Sequence, residues 1–522
     1  MKKIKYLFAA TLAATLASCD NFLDVKPVGK MIPTEVSQFE NILNNSLTVD
    51  PYFMMDNNRS CFYATMADNL TISENLAKYQ FTSTFPNLDL LAAYIFYSPV
   101  MDPKSTPFTW TYGYKALGYF NNVVDGVTAI DSESAYAKGV IAQARLGRAW
   151  QMMNMALCYG PMYQAGGAND TKVLPYRTSG DPTTPNGERN TTAEIFELVK
   201  ADLDYACENC PATVANHSRA DRACAYALRA EYYMYTRDWQ NMLADAQKAW
   251  ELALANSGGV DKLIYNYNDF YYEALSEINP PEGCSPEPYM TLRGPDNDFE
   301  QTTHREILLY RSTPYGTTTT KYYPSEDWKS IFDFDHDLRC KKFFFTVEGY
   351  HTTYGDVTVD DGLQLNDYRS YNMETTEGIT YPQLLLEKAE AEARTGNTAA
   401  ALQSLNILRK YRYNYGDGVS TDLKNGSSLS ADQLLNEILT ERRRELPLVS
   451  FQRMLDLKRY AFDSGKPWSK SVIEHKIGTK SYSKPITDAY FQSLPIDNAI
   501  IEYNPQWGLQ TNTTEFAPYS AW

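Results

Sequence analysis

The stretch ADRACAYALRAEYYMY, residues 220–235, continues after Thr236, Arg237 and Asp238 as WQNMLADAQKAWELA, residues 239–253. It decides the fold. In both halves apolar residues return at three- and four-residue intervals, the spacing of one face of an α-helix. The same period runs through Gly139 to Leu157, Thr192 to Cys207, Tyr381 to Arg394, Thr398 to Tyr411 and Ser430 to Leu446. Several of these stretches open on Ser, Thr or Asn, whose side-chain oxygens cap free helix N–H groups. Between them lie Pro-, Gly- and Asn-rich segments, notably Gly166 to Asn190 and Asn266 to Tyr323. These are too long to be simple connections, and long irregular segments in a compact protein carry function or motion. The chain therefore reads as a helical scaffold with inserted loops.

Two helix pairs have the pattern of tetratricopeptide hairpins, which place small residues where helices cross closely and large apolar residues beside them. In the first, Tyr226, Ala230, Tyr233, Trp239 and Ala249 fall at the required offsets; in the second, Ala389, Gly396, Asn397, Ala401 and Leu405 do. Their turns, at Arg237-Asp238-Trp239 and Gly396-Asn397-Thr398, are far apart, so a repeat scaffold interrupted by a large insertion is expected. A length of 522 residues also exceeds what one simple core serves.

At the N-terminus Lys2, Lys3 and Lys5 precede an apolar run from Tyr6 to Leu16, which ends in Leu16-Ala17-Ser18-Cys19. That is the form of a bacterial lipoprotein signal peptide covering residues 1–18, with Cys19 as the lipid-bearing first residue. The run is shorter than the ~20 residues that span a bilayer, and no other stretch reaches that length. The remainder is expected to be held to a membrane through Cys19 alone. The formal charge is -16, and the signal carries three lysines and no acids, giving -16 - 3 = -19 without it. This excess of acid opposes nucleic acid as a partner. After Cys19 come Cys61, Cys158, Cys207, Cys210, Cys224, Cys284 and Cys340, an odd set that argues against a disulfide framework. Cys207-Glu208-Asn209-Cys210 has redox-like spacing but lies at a helix end without a βαβ context, so it reads as structural.

Forty tyrosines and eight tryptophans point to a binding task. A tyrosine joins an apolar face to a hydroxyl, which suits sugars, whose CH-rich faces stack on rings while Asn, Asp and Arg bond their hydroxyls. Most of the tyrosines are nonetheless expected between helices. The five histidines are scattered, and HExxH, GxSxG and Walker patterns do not occur, although any two carboxylates could in principle serve a glycosidase. Asp333-x-Asp335-x-Asp337 imitates the start of a calcium loop, yet Leu338 and Phe344 stand where Gly and Glu are required. No metal and no cofactor are expected.

Several motifs in order carry a resemblance to a known family. They are Cys19-Asp20-Asn21-Phe22-Leu23-Asp24 with Pro27; Trp110, Tyr114 and Asn121 or Asn122; and Gln143 to Pro161 with Arg145, Arg148, Tyr159, Gly160 and Pro161. Asp337-Leu338-Arg339 follows, then Glu441-Arg442-Arg443-Arg444-Glu445 with Arg453, Asp456, Lys458 and Arg459, and last Leu494-Pro495-Ile496 with Asn504-Pro505. Over nearly its full length the chain resembles the SusD/RagB family. One departure is Pro447 to Phe451, where the family usually carries an aromatic and a Glu-Gly pair; it reads as drift in packing. The Glu-Arg run reads as ion pairs on or between helices, and Asp337 with Arg339 as a structural pair.

The resemblance implies a mainly α fold, an α-superhelix with tetratricopeptide-like hairpins and long inserted loops. It implies one SusD-like domain over 19–522, with an N-terminal part to about 235 and a C-terminal part from about 236. It further implies a non-enzymatic, surface-exposed outer-membrane lipoprotein that passes oligosaccharide, or in some members peptide, to a SusC-like TonB-dependent transporter. Asp20 after the lipidated cysteine would favour inner-membrane retention under the enterobacterial sorting rule, which does not hold in every bacterial group. Rings in the inserted loops are then expected to stack on sugar, with Asp68, Asn69, Tyr79, Tyr94, Tyr97, Tyr267, Tyr271, Tyr272 and Arg293 as candidate contacts, and Trp110 in the core. A lipoprotein that grips a protein on its repeat face would share the fold, but soluble glycans would have no effect on it.

Overall fold

A computed structural model describes residues 33–44, 62–80, 88–105, 108–296, 299, 303–312, 322–369, 373 and 375–522. Cys19, the signal segment and Cys61 lie outside the described residues. Among the described residues nine helices carry the scaffold: α1 Phe108–Ile130, α2 Ala135–Tyr159, α3 Thr192–Asn209, α4 Arg222–Thr236, α5 Trp239–Ser257, α6 Tyr381–Arg394, α7 Thr398–Arg412, α8 Ala431–Glu445 and α9 Gln452–Tyr460. From α1 to α5 each helix packs on the next, and α5 then packs on α6 across everything between Gly258 and Thr380. The interrupted repeat scaffold expected from sequence is what forms.

The helix starts follow local chemistry. Thr191 with Glu194, Thr380 with Gln383 and Ser430 with Gln433 form reciprocal capping boxes that satisfy the free N–H groups of α3, α6 and α8. Arg237 ends α4 in the left-handed region at φ 61°, and Gly396 makes the matching turn between α6 and α7 at φ 86°; glycine adopts that conformation without steric penalty. The small residues read as crossing points, Ala230, Ala249, Ala389 and Ala401, are fully buried. Contact is closer still between α1 and α2, where a Cβ on Gly147 would lie 2.3 Å from the Phe120 ring. Helix α2 is buried on all sides from Val140 to Tyr159 save Arg145, and so forms the axis of the N-terminal half. Trp110 is buried, as expected.

The insertion is built from two-stranded antiparallel hairpins. β1 Tyr271–Glu273 pairs with β2 Thr291–Arg293, and β3 Phe344–Glu348 pairs with β6 Leu363–Asp367. Nested within the second is β4 His351–Tyr354 with β5 Val357–Asp360. Its two-residue turn places Gly355 at φ 59°, as the right-handed twist of a tight hairpin requires. A last hairpin, β7 Val472–Ile477 with β8 Lys480–Pro485, follows α9. The stretch Asn266 to Tyr323, read as irregular, thus contributes strands as well as loops.

Buried ion pairs fasten the insertion to the scaffold. Arg339 lies 2.8 Å from Asp337, 2.7 Å from Glu441 and 2.5 Å from Glu445. Arg412 reaches Glu445 at 3.0 Å and Glu306 at 2.8 Å. A second group joins Arg442 to Asp456 and Glu387, and Arg459 to Glu390. The Glu-Arg run of α8 is therefore internal rather than exposed, and removing one partner would strand a charge in the interior. Cys158, Cys207, Cys210, Cys224 and Cys340 are buried free thiols, and Cys284 is a half-buried one. Burial pushes the Cys207 thiol up to about 12, which makes it inert.

Candidate ligand face

Strand pleating decides what the insertion shows to solvent. In β1 the side chains alternate, so Tyr271 and Glu273 point outward and Tyr272 inward. Tyr271 stands opposite Arg293 across the hairpin and is 58% exposed. Arg293 Nε lies 2.8 Å from Glu273 Oε2, which holds its guanidinium on the same outer side. Tyr272 packs its ring edge-on to Phe345, and its hydroxyl donates to the Lys342 carbonyl at 3.0 Å. The loop after β1 carries exposed Leu275 and Tyr289. It is stitched to β3 by Ser285 N donating to the Thr346 carbonyl at 2.7 Å, and it meets Leu363 at Gly283.

On the far side of the β3–β6 ladder, Tyr354 of β4 stacks on Tyr79 with ring centroids 5.3 Å apart, and its hydroxyl donates to the Tyr79 carbonyl at 3.0 Å. Asn75 donates to Asp361 at 2.8 Å and Tyr323 donates to the other oxygen of that carboxylate at 2.7 Å, fixing this segment against the hairpins. Val357 and Leu363 are also exposed. Scattered exposed apolar side chains are ordinary; here they sit on successive hairpins of the insertion, with Arg293, Glu273, His351 and Asp360 among them. Such a surface can stack on a ring and hydrogen-bond its substituents.

Of the residues expected at the site, Tyr79, Tyr271 and Arg293 lie on this face, and Tyr272 lies beneath it, packed on Phe345. Four others do not, because they are buried. Asp68 accepts from Arg453 at 2.7 and 2.8 Å and from Lys470 at 2.6 Å. Burial works to raise its pKa, but Arg443, Arg453 and Lys470 outweigh it and hold the carboxyl well below the usual range. Asn69 accepts from Arg443 Nε at 2.9 Å. The Tyr94 hydroxyl donates to the Lys476 carbonyl at 3.0 Å, and its ring stacks on His475 at 4.3 Å. Asp68 and Tyr94 border a separate hollow beside β7, with no free polar group of their own to offer it. The ring of Tyr267 is covered by the Arg412 guanidinium 3.9 Å from its centroid. Tyr97, half-buried, donates to the Glu515 carbonyl at 2.9 Å and accepts from Ala517 N at 3.3 Å, pinning the C-terminal segment.

Tyr289, Tyr354, Val357 and Leu363 were not anticipated. The signal for Tyr354 is present in HTTYGDVTVD, residues 351–360, where strand-forming residues flank a Gly-Asp turn.

Comparison with known proteins places this architecture. A family model described as "Starch-binding associating with outer membrane" matches residues 21–234, and one described as "SusD family" matches residues 345–512. SusD-like protein P2 of Formosa agariphila is 22% identical over 67% of this chain and 70% of its own length. SusD-like protein P38 of the same organism is 25% identical over 60% of this chain and 65% of its own. Among solved structures, a SusD superfamily protein from Bacteroides thetaiotaomicron superposes with a TM-score of 0.62 at 16% identity, over 90% of this chain and 98% of that one. A putative sugar-binding protein from Bacteroides vulgatus gives 0.61 at 16% identity, over 91% and 98%. The interrupted helical scaffold, the buried Glu-Arg run and these matches lead to one conclusion: the chain belongs to the SusD/RagB family.

Proposed function

We propose that this protein is a non-enzymatic outer-membrane lipoprotein, anchored through Cys19 and exposed at the cell surface, that binds oligosaccharide on the insertion face and passes it to a SusC-like TonB-dependent transporter. The observation that carries the reading is the Tyr79–Tyr354 stack, together with exposed Leu363 and Tyr271 on the other hairpins of the insertion. Family membership supports the outer-membrane location and the transporter partner. The absence of a helix long and apolar enough to span a bilayer among the described residues is compatible with a lipid anchor. The buried carboxyls with the strongest upward shifts, Glu377 at the base of the insertion against Ser450 and Glu387 on α6, are in the interior and not on the exposed insertion face.

The test is a glycan and peptide array on the lipid-free protein beginning at Asp20, followed by calorimetry with Tyr271→Ala, Tyr354→Ala and the double variant. A saturable sugar signal is expected, with unmodified ligand recovered and affinity falling about tenfold for each ring removed. Unchanged affinity in a folded double variant would overturn the placement, and recovery of cleaved sugar would overturn the non-enzymatic reading.

A further inference from the structure

A groove of about 440 Å³ lies away from the insertion, between α1 and the segment 175–186. Its volume falls within the ~300–1,000 Å³ usual for small-ligand sites. Its floor is the stripe Thr111, Lys115, Gly118, Tyr119 and Asn122, which the helical repeat brings to one face of α1. Trp110, Tyr114 and Leu117 close the bottom. At Gly118 a Cβ would meet nothing within 4 Å, so the floor has an open step where any other residue would project a side chain.

The opposite wall is held rigid by hydrogen bonds among residues that themselves line the groove. Asn121 Nδ2 donates to the carbonyls of Arg177 and Ser179 at 3.0 and 3.3 Å, while its Oδ1 accepts from Arg148 at 2.8 Å. Gly180 N donates to Asp125 at 2.7 Å. The Arg177 guanidinium donates to the Asn186 side chain and to the Thr184 and Asp181 carbonyls. The Tyr114 hydroxyl donates to the Pro175 carbonyl at 2.8 Å, tying floor to wall. A site whose walls are fixed before binding loses little entropy on occupation.

The side chains of the floor, by contrast, are open to water and bonded to no other protein group among the described residues. Among the described residues, the side chains of Thr111, Tyr119 and Asn122 form no hydrogen bond, and the Lys115 ammonium has only the Tyr112 ring, 4.5 Å away. An apolar ligand would strip water from four polar groups and return nothing to them. An anion needs converging cations; Arg177 is tied to its own loop, and Asp125 and Asp181 lie in or beside the same wall. The remaining match is a small neutral molecule that alternates hydroxyls with CH faces, since ring edges, hydroxyls and an amide line a single cleft.

We propose that this groove is a second binding site, for a neutral saccharide of one or two rings, separate from the insertion face. The proposal rests on the reading of the chain as a glycan binder. The experiment is saturation-transfer NMR on the lipid-free protein with methyl glucoside, methyl galactoside, maltose, cellobiose and lactose. Three variants are compared with wild type: Gly118→Phe, which plugs the open step; Lys115→Ala combined with Asn122→Ala, which keeps the backbone as it is; and Tyr271→Ala combined with Tyr354→Ala.

The expected result is a saccharide signal that survives in the tyrosine variant and falls at least tenfold in both groove variants. A signal lost with the tyrosines and untouched in both groove variants would overturn the second site and leave the insertion face standing. A signal that survives all three variants would also overturn it. No signal from any sugar in wild type would overturn the groove as a site for these neutral saccharides, and the array would then decide separately whether the insertion face binds larger glycans.

Discussion

Arg453 on α9 grips Asp68 at two points, Nε to Oδ1 at 2.7 Å and Nη2 to Oδ2 at 2.8 Å, across 385 positions of sequence. This pair, with Arg443 and Lys470 on the same carboxylate, anchors the segment before α1 to the C-terminal helices. Asp68→Ala would leave two buried guanidiniums short of a partner. A loss of about 3–5 kcal/mol is expected, read as a lower urea midpoint, with glycan affinity of the folded fraction unchanged. A variant as stable as wild type would show the pair to be dispensable.

Acid should unfold the protein through α6 and α8. Burial alone would raise the carboxyls of Glu390 and Glu441, but Arg459 and Arg394 hold the first at about 2, and Arg339 and Arg444 hold the second at about 2. Both pKa values lie below the ordinary 4.5, so the stability they supply is complete above pH 4.5 and is lost as pH falls through about 2. Each group contributes a slope of about 1.4 kcal/mol per pH unit in that window. Urea midpoints at pH 6, 5, 4 and 3 should fall only in the last two, and a flat profile to pH 3 would contradict the assignment.

Glu377 has the opposite sign. Burial pushes its carboxyl up to about 8, and the Ser450 hydroxyl, donating at 2.8 Å, only partly offsets that. The folded protein keeps this proton where the unfolded chain releases it, so the contribution is present below pH 4.5 and disappears as pH rises through about 8. Glu377→Gln keeps the shape and removes the titration. It should hold its melting temperature between pH 6 and 9 better than wild type does, with about 1.4 kcal/mol recovered for each pH unit below 8. Parallel pH profiles for the two proteins would refute this.

Two glycines should respond in opposite directions. Gly147→Ala places a Cβ against the Phe120 ring at the α1–α2 crossing and is expected to cost about 1–3 kcal/mol through overpacking. Gly118→Ala meets open space and should gain roughly 0.5–1 kcal/mol from helix propensity. Thermal unfolding of the two single variants decides it, and a shared sign would mean that the crossing is looser than the structure has it.

The scaffold was legible because its signals are local. Capping residues such as Thr380 and Ser430 sit next to the helices they start, and the small residues of the hairpins recur within one or two turns. Even so, α2 begins four residues before its apolar period does, because Ser134 caps a first turn that sequence periodicity does not reveal. The site was legible only in part. Nothing near Asp68 or Tyr267 in sequence says that Arg453 or Arg412 will cover it, so polar and aromatic residues destined for the interior resembled ligand contacts. Tyr271 and Arg293 were readable as members of the long insertion, but their meeting across a hairpin depends on a register that sequence does not state.

The packing of α5 on α6 has an evolutionary consequence. Because the scaffold closes on itself around the segment from Gly258 to Thr380, that segment is a closed loop whose ends are fixed by helices with their own core. The entropy of closing such a loop rises only with the logarithm of its length, about 0.6 kcal/mol for each doubling. Hairpins can therefore be lengthened, shortened or exchanged there with little loss of stability, provided the anchors Asp337, Arg339 and Glu306 are kept. One chassis can then carry different outer surfaces without being rebuilt.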